Sequence, residues 1–497
     1  MRNKYIFIFS HSNQIDWYTV FADGFKECGN DYKTVIFVHG KEDAERARKF
    51  SCYDIVIDFT QESDTKKSVA DLGNSVSKDI TDLENRLGTS FFWEDIRVDR
   101  WARKANPDVV IQYMNTSVDI LMTAYKKYQP IIALGEYTMA IYRYAYHLFA
   151  SDQKVMLYPV STRYYNRFYF ETDLNWKWSN CIDNYYDYLK NGVPEKVLEE
   201  VGPIYQNIIN EKSSKPIYTI HQDKFPVGFT ELNKLPISEL IQKLVKAFTR
   251  RQNSENINIR DTNLESNILQ KVKRLIMDRV NHQRYKSYTV GEIPSGKKFA
   301  TYFLHYQPEY TSDALGRFYQ DQRRLISIIA AALPSDILLV VKEHPTMIGL
   351  RNSSYYRELL SSTNVILVNH KVDSLRLIRD GEIVFTIVGT PALEAMFIGK
   401  PAVMFGDYAF AQTNTISLCK DVTKLERLIR EKLNESHDSY DIKKHSIALL
   451  AAKYSSSVPG QIPIAEELIP PFMKNTEELK IIKNSFRDEL INRGLAK

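Results

Sequence analysis

Cysteine is scarce in this chain. Four occur in 497 residues, Cys28, Cys52, Cys181 and Cys419, with no CxxC pair and no histidine at metal-ligand spacing. That scarcity excludes a disulfide framework and a zinc site, and it fits a reducing cytoplasm. Long apolar runs are missing too. The run Tyr5 to Phe9 gives way to His11, Asn13 and Gln14, which is too short for a signal peptide. No run approaches the roughly 20 apolar residues of a membrane span, so any membrane contact is expected to be peripheral. Neither sign of charge dominates: 66 Lys and Arg face 61 Asp and Glu, net +5. No basic block is long enough for a nucleic-acid arm. The mild excess is compatible with anionic substrates or an anionic membrane surface. No short-period repeat is found.

What is present is ordinary soluble composition, 44% hydrophobic and 26% charged, in a chain too long for one core. Tyr5 to Phe9, Thr34 to Val38 and Asp54 to Ile57 read as strands, with a helix from Trp17 to Cys28, a doubly wound opening. A polar helix-prone stretch spans residues 60–104. Strands are expected at Asp108 to Gln112, Pro130 to Leu134 and Asp152 to Pro159, with a helix from Thr138 to Phe149. Residues 160–215 are rich in Tyr and Trp, including Asn175-Trp-Lys-Trp178. They read either as an irregular insertion with aromatic packing or as a sugar-stacking wall. A basic helix from Leu264 to Arg284 leads to Gly291-Glu-Ile-Pro-Ser-Gly296, taken as a domain boundary.

Beyond it, strand and helix alternate: strands Phe299 to Leu304, Ile337 to Val341, Val365 to Leu367, Ile383 to Ile387 and Ala402 to Phe405, with helices Tyr319 to Leu333, Ser354 to Ser361, Ser374 to Arg379 and Pro391 to Ile398. The fold class expected is α/β: two Rossmann-type doubly wound domains facing across a cleft, a GT-B-like architecture, with a C-terminal helical tail. The domains are drawn at 1–290, 291–464 and 465–497.

Three polar clusters each follow an apolar run that reads as a buried parallel strand. They are Gln307-Pro308-Glu309, Lys342-Glu343-His344-Pro345 and Gly389-Thr390-Pro391 with Glu394. At the carboxyl edge of an open α/β sheet they stand where a nucleotide binds. Pro391 suits the first helical position, Thr390 an N-cap, and Gly389 lets a ligand approach the backbone. The resulting helix start suits a phosphate; the plain alternative is an ordinary capped helix. Pro345 holds His344 at the rim, where an imidazole can donate to a phosphate oxygen and stabilise a leaving group. Lys342 either adds positive charge or is a solvated neighbour. Gln307 is placed to read a base or orient a phosphate, and Arg317 to pair with an anion. His305 is left to the core by strand alternation. Glu394 either accepts from a ribose diol or holds the loops together.

The ordered set from Tyr302 to Asp407, including Gly399-Lys400-Pro401, resembles the bacterial capsule polysaccharide biosynthesis family that includes the β-Kdo transferases. Those are inverting GT-B enzymes that use a CMP-activated sugar. The resemblance implies that His344 and Pro345 contact CMP and that Gly389 and Thr390 cradle its phosphate; Gln307, Glu309, Lys342 and Glu394 are the further residues expected in the nucleotide site from their place at the sheet edge. Leu134-Gly135-Glu136, Ala145-Tyr146-His147 and the segment from Ser161 to Phe170 resemble the family more loosely. An inverting transferase needs a carboxylate to deprotonate the acceptor hydroxyl. Glu136 is the expected base, the alternative being a helix-start carboxylate serving the macrodipole. His11 and Asp16 are the substitutes, and Arg163 and Arg167 either hold an acidic sugar or a phosphorylated acceptor or pair with surface charges. No Asp-x-Asp pair ends a strand, so metal independence and no required cofactor are expected. The expected partners are a nucleotide sugar, CMP-linked in preference to UDP-linked, and a polysaccharide or glycolipid acceptor, with no nucleic acid. The expected location is the cytoplasm, with peripheral contact at the inner face of the membrane as the further expectation. A UDP-sugar 2-epimerase and a non-catalytic capsule assembly or export scaffold are the competing readings.

Overall fold

The computed structural model describes residues 3–29, 31–60, 75–162, 164–210, 277, 280–413, 416–435, 438–463 and 469–495. They form two compact units. The first holds the described residues of Met1–Leu174 and Ser457–Lys497, and the second those of Asn175–Phe248 and Asn267–Ser456.

In the first unit, β1 (Lys4–Phe9), β2 (Tyr32–Val38), β3 (Ile55–Asp58), β4 (Ile132–Gly135) and β5 (Val155–Ser161) run parallel in the order β3-β2-β1-β4-β5. β6 (Arg167–Glu171) and the short strand Val458–Pro459 extend this sheet antiparallel. The central strand explains itself. Ile6, Phe7, Ile8 and Phe9 are all fully buried, as a strand covered by helices on both faces must be. Each large side chain so buried contributes roughly 1.5–3 kcal/mol.

The helical tail belongs to this unit. Its helix Thr476–Asn492 lays Phe486 against Phe21 and Phe25 of the helix Gln14–Glu27, at ring distances of 5.0 and 4.8 Å. Gly24 permits the approach, since a Cβ there would stand 3.0 Å from Phe486 Cδ1.

Two expectations are corrected in this half. The strand expected at Asp108 to Gln112 lies inside a 22-residue helix, Pro107–Tyr128. Asn106 accepts a hydrogen bond from the Asp108 N–H, and Pro107 sits in the first turn, a standard helix start. Val110, Met114, Val118, Leu121 and Tyr125 then repeat at helical spacing, which overrides the β preference of one short Val-Val-Ile run. The stretch 160–210 is not irregular either: after β6 it forms the helices Ser179–Asn191 and Glu195–Ile209 of the second unit.

In the second unit, β7 (Lys298–Phe303), β8 (Ile337–Lys342), β9 (Val365–Val368), β10 (Val384–Thr386), β11 (Ala402–Met404) and β12 (Ile416–Leu418) are all parallel, in the order β12-β11-β10-β7-β8-β9. Counted from β7 this is the 3-2-1-4-5-6 order of a dinucleotide-binding sheet. Its strand order reverses between β7 and β10, the crevice where such sheets take ligands. The first sheet reverses likewise between β1 and β4. The basic helix expected from Leu264 lies mostly outside the described residues. Among the described residues no helix is long and apolar enough to cross a membrane.

Candidate functional site

The second unit gathers its polar clusters on one edge. β7 pairs with β8 so that Phe303 stands opposite Lys342, and with β10 so that Tyr302 stands opposite Phe385. Running that register forward brings His305, His344 and the Gly389 turn side by side at the carboxyl ends. His305 ties the two strands flanking the reversal: its Nε2 accepts from the Ile387 N–H at 3.2 Å and lies 3.0 Å from Thr386 Oγ1. The ring therefore turns inward against β10, as strand alternation led one to expect, while the residue as a whole is half-buried at the rim.

His344 begins a turn whose next residue, Pro345, opens the 3-10 helix Pro345–Met347. Thr346 Oγ1 lies 2.6 Å from His344 Nδ1. A hydroxyl donating there leaves the proton on Nε2, which makes no hydrogen bond to the described residues. Burial pushes the His344 imidazole down to about 4, helped by the cations Arg351 and Lys342. Burial, then His344 and Arg351, push His305 down to about 3. Both rings are neutral near pH 7 and can donate a hydrogen bond without first taking up a proton.

Beneath them lies a buried ion pair. Arg351 Nη1 donates to Glu343 Oε1 at 2.6 Å, with both side chains almost wholly excluded from solvent. Arg351 Nη2 donates to the His305 carbonyl at 2.7 Å. Glu343 also accepts from Tyr356 Oη at 2.9 Å and from the His344 N–H at 2.7 Å. Burial pushes the Glu343 carboxyl up against the pull of Arg351, Tyr356 and that backbone donor. The network fastens the end of β7 to the turn after β8.

Gln322, buried, accepts from the His305 N–H at 2.8 Å and donates to Gln307 Oε1 at 2.7 Å. Gln307 in turn donates to Asp313 Oδ1 and the Gln320 carbonyl, so its amide is spent on shaping the loop that also carries half-buried Glu309. Lys342 Nζ donates to the Val372 carbonyl and Ser374 Oγ, both at 2.6 Å, and joins β8 to the helix Ser374–Asp380.

Gly389, not Thr390, is the N-cap of the helix Thr390–Phe397, because the helix starts one residue earlier than expected, with Pro391 in its first turn. Gly389 holds φ 144° and ψ −177°, a conformation essentially confined to glycine. A Cβ would meet nothing nearer than Pro391 Cδ at 3.5 Å, so backbone shape and not space requires the glycine. Glu394 lies buried on the same helix. Arg317 adopts φ 20° and lies over the Phe318 ring at 5.1 Å. Trp176 stacks on Tyr310 at 5.3 Å and is buried, so this part of the aromatic segment packs and leaves no open stacking wall.

In the first unit the strand-order reversal holds Glu136 and His11. Gly135 lets β4 come close, since a Cβ there would stand 2.8 Å from Phe9 Cβ. His11 Nδ1 lies 2.5 Å from Glu136 Oε1, both nearly solvent-free, and Gln14 Nε2 donates to Glu136 Oε2 at 3.3 Å. Burial pushes Glu136 up, but His11 and Thr138 outweigh it and hold the carboxyl below its ordinary range. Fully buried Asp99 accepts from the N–H groups of Trp101, Ala102 and Ala140 and so anchors the start of the helix Ala140–Ser151 that follows Glu136. Asp16 is held by Arg46 through two hydrogen bonds of 2.6 and 2.8 Å. Arg167 binds Ser457 through its Oγ and carbonyl. Arg163 lies outside the described residues. Arg351, Gln322 and Asp99 were absent from the sequence reading, and no motif flags them: each acts on a partner that only folding brings near. Among the described residues no group of three or more His, Cys, Asp and Glu is placed to hold a metal ion.

No curated protein matches the chain. Among solved structures it is similar to a β-Kdo 2,7 transferase, KpsC of Thermosulfurimonas dismutans, at 12% identity over 72% of this chain and 89% of that one, TM-score 0.32. It is also similar to the UDP-GlcNAc 2-epimerase of Neisseria meningitidis, at 11% identity over 89% and 97%, TM-score 0.23. Residues 207–423 match the family described as capsule polysaccharide biosynthesis protein, so the family resemblance carried by the motifs from Tyr302 to Asp407 holds and extends across that whole stretch.

Proposed function

We propose that this protein is an inverting glycosyltransferase of capsule or related surface-polysaccharide synthesis. Its donor is a nucleotide sugar, a CMP-linked ulosonic acid such as Kdo being favoured by resemblance alone. The observation that carries the reading is the second sheet's edge, where a neutral imidazole and a glycine-capped helix start stand together at the strand-order reversal.

In the reaction proposed, an acceptor hydroxyl attacks the anomeric carbon from the face opposite the nucleotide, and the bond from that carbon to the phosphate oxygen breaks. The hydroxyl proton passes to Glu136, whose carboxylate lies 2.5 Å from His11 Nδ1. The negative charge growing on the departing phosphate is met by the Nε2–H of His344 and by the free N–H groups at the Gly389 helix start. These donors are set before the reaction begins, so little reorganisation accompanies bond breaking. No metal is assigned a part. Gln307, Lys342 and Glu343 keep the rim in shape, while Glu309, Thr390 and Glu394 border the nucleotide. The acceptor is a polysaccharide or glycolipid, with peripheral contact at the inner face of the cytoplasmic membrane.

The test is incubation with CMP-Kdo and with UDP-sugars, in the presence and absence of an acceptor glycan. Release of nucleotide that requires acceptor supports transfer. Conversion of the donor sugar without acceptor supports an epimerase instead, and binding of no nucleotide leaves a scaffold.

A further inference from the structure

We infer that His305 is a second phosphate-binding residue of this site, presenting its Nδ1–H to a non-bridging oxygen of the nucleotide's phosphate beside His344 and the Gly389 helix start. The inference rests on the nucleotide-sugar reading and goes beyond it, since neither the family motifs nor strand alternation assigned His305 a ligand.

The tautomer follows from its neighbours. A backbone N–H only donates, so the Ile387 N–H at 3.2 Å pairs with the tautomer whose Nε2 is unprotonated, in which the Thr386 hydroxyl at 3.0 Å donates to the same nitrogen. A neutral ring then carries its proton on Nδ1, and that atom makes no hydrogen bond to the described residues. The ring borders the helix start: a Cβ placed on Gly389 would lie 3.7 Å from His305 Cε1. The backbone of His305 is held from two sides, by Gln322 Oε1 accepting its N–H and by Arg351 donating to its carbonyl. Burial and the cation Arg351 keep the ring from protonating. The result is a rigid neutral donor at the strand-order reversal, the arrangement that binds an anion without an ordering cost.

Two substitutions separate this role from mere support of β10. His305→Gln keeps an acceptor at the Nε2 position for the Ile387 N–H and removes the Nδ1–H donor. His305→Asn places an amide donor near the Nδ1 position and gives up the Nε2 acceptor. Calorimetric titration with CMP and UDP, and with cytidine and uridine, is carried out on the full chain and both variants. The expected result is that His305→Gln weakens nucleotide binding about tenfold or more, the size of a hydrogen bond to a charged group, with nucleoside binding unchanged. His305→Asn should keep more nucleotide affinity than His305→Gln despite a lower melting temperature. Nucleotide binding unchanged in His305→Gln overturns the inference while leaving the transferase reading in place. Equal losses for nucleotide and nucleoside overturn it as well, since they mark a structural role. A wild-type protein that binds no nucleotide overturns the transferase reading itself, and this inference with it.

Discussion

Arg351→Met strikes the part of the site that the sequence concealed. Arg351 and Glu343 lie 2.6 Å apart with side-chain exposures of 5% and 0%, so removing the guanidinium leaves a carboxylate in a nearly dry interior. Tyr356 Oη and the His344 N–H remain as donors, which limits the loss but supplies no countercharge. Breaking one side of such a pair costs about 3–5 kcal/mol; the His305 carbonyl loses Arg351 but keeps Gln322 Nε2 as a donor at 3.3 Å, so it adds less than about 1 kcal/mol. The folded variant can relieve the strain by protonating Glu343, whose carboxyl burial already pushes up. With the folded value raised above the unfolded one, the deficit is complete at high pH and shrinks as pH falls below the folded value, by up to about 1.4 kcal/mol per pH unit. Urea-dependent hydrogen exchange of the β7 and β8 amides reads the loss locally, which matters in a chain of two units. Arg351→Met should open these strands more easily at pH 8 than at pH 5, and adding Glu343→Gln should restore most of the protection. A deficit under about 1 kcal/mol, or one that Glu343→Gln leaves untouched, would refute the reasoning.

Acid should weaken the second unit for a related reason. The unfolded chain takes up a proton on each histidine near the ordinary 6.5, the folded chain only at about 4 for His344 and about 3 for His305. Stability is therefore full above 6.5 and falls as pH drops toward 4, by up to about 1.4 kcal/mol per unit for each ring; His344→Asn should lose less than wild type between pH 7.5 and 5 in urea melts, and an identical loss contradicts the assignment. Gly389→Ala forces φ 144° on a residue with a side chain, and should lower stability by about 1–3 kcal/mol and abolish the thermal shift given by nucleotide. Glu136→Gln should stop transfer in the acceptor-dependent assay yet keep nucleotide binding by calorimetry; a variant that still transfers moves the base elsewhere, first to Asp16.

The sheets were legible because their strands are apolar on both faces. Ile337 to Val341 and Ile383 to Ile387 leave little choice but a buried parallel strand, and the turn residues after them mark the edge where polar groups collect. Asp108 to Gln112 misled because a few β-branched residues look alike on a strand and on the buried face of a helix, and the Asn106-Pro107 start settles the matter. Strand alternation turned His305 inward, but the strand ends at Phe303, and the bond to the Ile387 N–H across the reversal has no mark in the sequence. The Glu343–Arg351 pair was invisible for another reason. Its members stand eight residues apart around an irregular turn, and no spacing rule predicts a contact there. Likewise the closeness of His11 to Glu136 spans two strands more than a hundred residues apart in sequence, joined only by the sheet order.

The most direct measurement is a crystal structure of the full chain with CMP bound. The account predicts phosphate oxygens within hydrogen-bonding distance of His344 Nε2 and of the N–H groups at the Gly389 helix start. A phosphate seated away from the ends of β7, β8 and β10 would contradict it.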